Sequence, residues 1–190
     1  KKDILAIFEE KPGVHGLVRA FDAETPQHSM TLKPYHLMVT EVTNEQYAAF
    51  VTATGSKPPY AWGKVAVQEA NLAHAESEQL KWLAAKEKGE RYEKKIFDQE
   101  AWWNANWKEA VWEMPKGEER HPVGYVDYSM ANAYVQWAGL RLMTEYEFQR
   151  AARKNSEKVF PWGDKFDSES ANSLHYEQRD APMPVGSFPD

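Results

Sequence analysis

The sequence predicts an α+β fold that is loop-rich, with short strands, a few short helices and one inserted helical segment. Three observations carry this prediction. "SMTLKPYHLMVTEVT" (29–43) has the alternation and β-branched content of strands and runs straight into a capped helix. Residues 65–100 are rich in Ala, Glu and Lys and lack proline, as a helical run requires. Elsewhere glycines and prolines recur too often for long regular elements.

The elements follow in order. Gly13, Gly16 and Pro26 break up residues 1–30, which read as a lead-in to the domain. In the strand segment Pro34 fits an edge or a turn, because it has no N–H to give to a ladder. In "VTNEQYAAFVTATG", Thr43 is placed to cap a helix while Gln46 reaches back to it. Tyr47, Phe50 and Val51 fall on one face of that helix, and Gly55 supplies a left-handed stop.

The run 65–100 predicts one or two amphipathic helices with a break at Gly89. Its charges suit a solvated face, with a partner-binding surface as the alternative. Trp102, Trp103, Trp107 and Trp112 follow closely, Trp103 and Trp107 sharing a helical face. They fit packing between an insertion and a core, or else an aromatic cleft wall. "HPVGYVDYSMANAYVQWAGL" predicts a short strand and then a helix from about 129 to 138, with Ala133, Tyr134 and Trp137 inward and Gly139 as terminator. A second helix starts at Thr144. Glu145 and Glu147 lie in its first turn and Arg150, Arg153 and Lys154 at its end, matching the helix dipole. From "VFPWGD" onward the chain reads as loop.

Composition limits the function. The chain has 190 residues, 42% hydrophobic and 27% charged, enough for one domain with a core. A net charge of −6 without a dense basic cluster argues against nucleic-acid binding. The absence of cysteine removes disulfides, thiolate metal sites and a cysteine nucleophile from these residues. No apolar run is long enough to span a bilayer. Lys1 in place of Met implies a processed or trimmed product.

The histidines, His15, His28, His36, His74, His121 and His175, show no i, i+4 pair, and HExxH, GxSxG, Walker and GxGxxG patterns do not occur. Asp164, Asp167, Asn172 and Asp180 lie in a loop segment rich in oxygen ligands of the kind Ca²⁺ takes, though without EF-hand spacing. The residues by themselves present a mixed domain and no catalytic constellation.

Four blocks in order resemble one family. They are "EVTNEQYAAFV", "HPVGYVDYSMANAYVQWAGLRLMTEYEFQRAAR", "FPWGD" with Ala171-Asn172, and "PVGSFP". Together they are similar to formylglycine-generating enzymes and sulfatase-modifying-factor domains, with 57–118 reading as an insertion. The resemblance implies a C-type-lectin-related fold over 31–190, here its N-terminal portion. Departures from the family pattern are Met143 for its proline, Phe148 for its tryptophan and Asp127-Tyr128 for its Ser-Trp.

The family's enzymes oxidise a sulfatase cysteine to formylglycine with two cysteines, copper and O₂. Those cysteines belong to blocks that follow "PVGSFP" in the family, so no catalytic residue and no copper ligand transfers to this chain. Copper is implied only if a cysteine-bearing C-terminal part exists. The resemblance transfers a structural Ca²⁺ site in part: Asn172 matches the asparagine that supplies a side-chain oxygen, Ser173 offers its carbonyl, and Asp180 is the candidate carboxylate in a loop before "PVGSFP" that is shorter than in the enzymes.

It also sets three functional expectations. The first is a non-catalytic binding or assembly module with a protein or peptide partner. The second is the N-terminal portion of a formylglycine-generating oxidase. The third is a relative of the ergothioneine-type sulfoxide synthases. A secreted or periplasmic location is implied by the resemblance alone.

Overall fold

A computed structural model describes residues 29–153, 158, 160–165, 167, 169–172 and 181–188. The lead-in at 1–28, together with Ser173 and Asp180, lies outside the described residues. Five α-helices are described: α1 (Asn44–Thr54), α2 (Lys64–Glu87), α3 (Gln99–Asn106), α4 (Tyr128–Trp137) and α5 (Glu145–Arg153), with a 3-10 turn at Tyr60–Gly63.

The α1 cap forms as its sequence dictates. The Thr43 hydroxyl accepts from the Gln46 amide, and the Gln46 side chain accepts from the Thr43 amide. Gly55 closes the helix at φ +64°. Tyr47, Phe50 and Val51 are all buried and form the centre of the core with Trp62, Tyr134 and Val135. Tyr47 stacks on Tyr134 at 5.5 Å and meets Phe50 and Trp62 edge-on at 5.3 and 6.1 Å. Trp62 in turn faces Trp112 at 6.4 Å. Aromatic pairs of this kind add to the area they bury, so much of the aromatic content goes into the core.

The strand expectation for 29–43 is corrected. Among the described residues β pairing is confined to two isolated bridges, Thr43 with Pro122 and Phe160 with Gly163. Val123 donates to the Val42 carbonyl at 2.9 Å, but Pro122 has no N–H with which to extend the ladder. β-branched content makes a segment fit for a sheet, and only a partner strand makes it one.

On α4 the inward pair is Tyr134 and Val135, while Ala133 is exposed and Trp137 half-exposed. Ala133 precedes Tyr134 by a single helical step and so points away from the stripe that faces α1. Trp137 still touches Phe50, at 5.6 Å between rings. Gly139 terminates the helix at φ +70° as expected.

The segment 57–118 holds the 3-10 turn, α2 and α3. The run from 65 yields a single long helix, and Gly89, at φ +70°, breaks it. Residues 91–98 then run back beside α2 without regular structure, with Tyr92, Lys94 and Lys95 bonded to Glu78, Gln79 and His74. Glu78, only 3% exposed, fastens this return: its carboxylate accepts from Lys81 Nζ, the Tyr92 hydroxyl and the Lys95 amide at 2.7–2.9 Å. These donors, Lys81 foremost, hold its carboxyl down to about 2. The charge run is thus a solvated face with one buried, fully satisfied carboxylate inside it.

Candidate functional site

A cleft of about 200 Å³ opens where the segment 57–118 meets the start of α4. Its walls include Lys57, Tyr60, Glu100, Trp103, Tyr125 and Asp127. Each side chain is set by a local rule. Pro58 and Pro59 are buried and deliver Tyr60 and Trp62 into the 3-10 turn. Asp98 caps α3 through the Ala101 amide, which places Glu100 and Trp103 in its first turns. Asp127 caps α4 through the Met130 amide at 2.9 Å.

Trp103 forms the floor. It is 1% exposed, donates its indole N–H to the Pro58 carbonyl at 3.1 Å and lies flat against Gly63. A Cβ at Gly63 would run into the indole ring, so only glycine permits this approach. The packing reading of this tryptophan holds, and the same ring also lines the cleft. Trp112 packs in the core, whereas Trp102 lies beside Phe97 at 6.5 Å.

Two tyrosines form the rim. Tyr60 and Tyr125 meet edge-to-face at 4.6 Å. Tyr125 has φ +57°, the one non-glycine positive φ among the described residues, and its side chain is 66% exposed. An L residue with a bulky ring pays conformational energy to sit there, and such outliers concentrate at functional sites. Burial first, and then the neighbouring Tyr125 and Glu100, push the Tyr60 hydroxyl above its ordinary value.

The polar groups are linked across the cleft. Lys57 donates to Asn104 Oδ1 at 2.6 Å and lies 3.9 Å from the Asp127 carboxylate. Beneath them, burial and the charge of Asp127 push the Tyr47 hydroxyl up to about 12, and this hydroxyl is buried without a partner. A site with one cation, two carboxylates and three rings can hold and orient a ligand by polar and aromatic contact.

Asn44 escaped the sequence reading. It is 4% exposed and accepts from Trp62 Nε1 at 3.3 Å, while its amide donates to the Glu118 carbonyl at 2.9 Å. Its backbone N–H also bonds the His121 carbonyl. Its position directly after the cap residue was the available signal.

Of the predicted metal ligands only Asn172 is described. Its side-chain N–H donates to the Ala181 carbonyl at 3.0 Å, which orients the amide within the loop. No group of three or more His, Asp or Glu side chains converges among the described residues. Of the loop acids, Asp167 bonds Ser170 and the Glu169 amide. The "PVGSFP" block does return to the domain, with the Val185 amide bonded to the Arg120 carbonyl at 2.9 Å. No helix among the described residues is long and apolar enough to cross a membrane.

The chain is 35% identical over 76% of its length to the formylglycine-generating enzyme of Streptomyces coelicolor, covering 44% of that protein. It is 27% identical to the inactive C-alpha-formylglycine-generating enzyme 2 of Bos taurus, over 80% of this chain and 47% of that one. It is also 27% identical to the hercynine oxygenase of Mycolicibacterium smegmatis, over 90% of this chain and 36% of that one. The chain spans about half the length, or less, of these curated relatives. Residues 11–190 match the sulfatase-modifying factor enzyme 1-like domain, and the chain belongs to that family.

Proposed function

We propose that this chain acts as a non-catalytic binding or assembly module of the sulfatase-modifying-factor family and takes a protein or peptide partner. The observation that carries the reading is the cleft, where Tyr125 is held at φ +57° against Tyr60 beside Glu100, Asp127 and Lys57. The described groups suit recognition: rings for apolar contact, and charges for orientation. The chain contributes no cysteine to thiol chemistry. A family relative is itself named inactive.

A second reading is that the chain is the N-terminal portion of a formylglycine-generating oxidase, supported by the 35% identity to the Streptomyces coelicolor protein. In that case the catalytic cysteines and the copper belong to residues outside this chain. One experiment separates the two. The full-length gene product is incubated in air with copper and a cysteine peptide from a sulfatase, and the peptide mass is followed. The binding reading expects an unmodified thiol, and conversion to the aldehyde would replace it with the oxidase reading.

We also propose a structural Ca²⁺ held by the Asn172 side chain, the Ser173 carbonyl and the Asp180 carboxylate. Oxygen donors from one loop suit this hard cation, and Asn172 is already oriented by Ala181.

A further inference from the structure

The outer face of α2 lies away from the cleft and has a character of its own. Its inner face is formed by Val67, Glu78 and Ala85, which are buried, with His74 and Trp82 half-buried beside them. At about 100° per residue, Val65, Leu72, Leu80 and Leu83 project from the opposite side of the helix. They are 68%, 67%, 68% and 43% exposed. Single exposed leucines are ordinary, but here four aliphatic side chains recur along one stripe about 27 Å long.

The charges on this stripe have one sign. Glu69 and Glu76 alternate with the aliphatic residues along the stripe and Glu87 follows Leu83; all three are exposed and form no ion pair with any described residue. The lysines of the same helix are turned elsewhere. Lys81 pairs with Glu78 at 2.8 Å, and Lys86 lies over the Trp82 ring at 5.2 Å. The inner face thus draws in cations and leaves an acidic, aliphatic stripe outside.

We infer that this stripe docks a basic amphipathic helix of a partner protein, whose contact face alternates aliphatic residues with Lys or Arg along its length. Aliphatic side chains interdigitate with Leu72, Leu80 and Leu83, and the intervening cations reach Glu69, Glu76 and Glu87. Charge decides against the other occupants. A second copy of α2 would set glutamate rows against each other, and an anionic membrane surface would repel them.

The test uses the full-length product and a fluorescent helical peptide of Leu and Lys with this alternation, beside a scrambled peptide of equal composition. Saturable binding of the patterned peptide is expected, weakening with salt. Leu72→Ser/Leu83→Ser and Glu69→Lys/Glu76→Lys are each expected to weaken it about tenfold or more with an unchanged melting temperature, because these side chains are exposed. Equal binding of the scrambled peptide, or affinity unmoved by both variants, overturns the inference. So does a wild-type dimer that Leu72→Ser/Leu83→Ser dissociates, or a large fall in melting temperature in that variant, which would mean that the protein's own chain covers the stripe.

Discussion

Arg141 forks both carboxylate oxygens of Glu147, its two terminal nitrogens lying 2.8 and 2.6 Å from them. Glu147 thereby does more than complete the capping box with Thr144. It ties the start of α5 to the turn that follows α4, while the Tyr35 hydroxyl donates to its carbonyl from the N-terminal side. Arg141, Thr144 and Glu147 together form a structural clamp between α4 and α5.

The clamp sets an acid sensitivity. Arg141 first, then the Thr144 amide, hold the Glu147 carboxyl at about 2, against 4.5 in its unperturbed state. A depressed pKa stabilises the fold fully above the unfolded value and loses that contribution as pH falls from 4.5 toward 2. Glu147→Gln is expected to lower the melting temperature at pH 7 and to flatten its fall over this window, as read by circular dichroism. Glu78, held equally low by Lys81, the Lys95 amide and Tyr92, titrates in the same window. Glu78→Gln is expected to flatten the remaining slope.

The caps of α1 and α5 were legible in the sequence because capping is local: four residues contain both hydrogen bonds. The Arg141 fork was not, since a six-residue separation carries no fixed geometry outside a helix. The core face of Tyr47, Phe50 and Val51 was legible from helical period. The absent ladder at 29–43 was not, because pairing depends on a partner that local sequence does not specify. Of the cleft, the tryptophan cluster was visible, but its meeting with Tyr60 and Tyr125 arises from tertiary contact.

Gly63→Ala is expected to destabilise the protein by about 1–3 kcal/mol, as overpacking does in a filled interior. Chemical denaturation measures this. Coupling with Trp103→Leu should recover part of the loss, because the smaller side chain makes room for the methyl group. Simple additivity of the two effects would place the Trp103 ring elsewhere.

Tyr125→Gly is expected to relieve backbone strain of about 1 kcal/mol while removing one rim of the cleft. Stability and partner binding should move in opposite directions. Equilibrium unfolding and a partner titration, on the same samples, check both signs.

Ca²⁺ is expected to raise the melting temperature of the protein, and chelator to lower it, with Asp180→Asn abolishing the difference. A melting temperature indifferent to both would remove the proposed site at Asn172, Ser173 and Asp180.

Asn44 has a wider consequence. One amide accepts from Trp62, near the start of the segment 57–118, and donates to Glu118 at its end. The whole excursion of α2 and α3 therefore leaves and rejoins the domain within the reach of a single side chain. Closing a loop costs free energy that grows only with the logarithm of its length once its ends are pinned. A change of length at its far end, around Gly89, is therefore expected to cost little, whereas Trp62 and Trp112 near its two ends belong to the core and fasten it to α1.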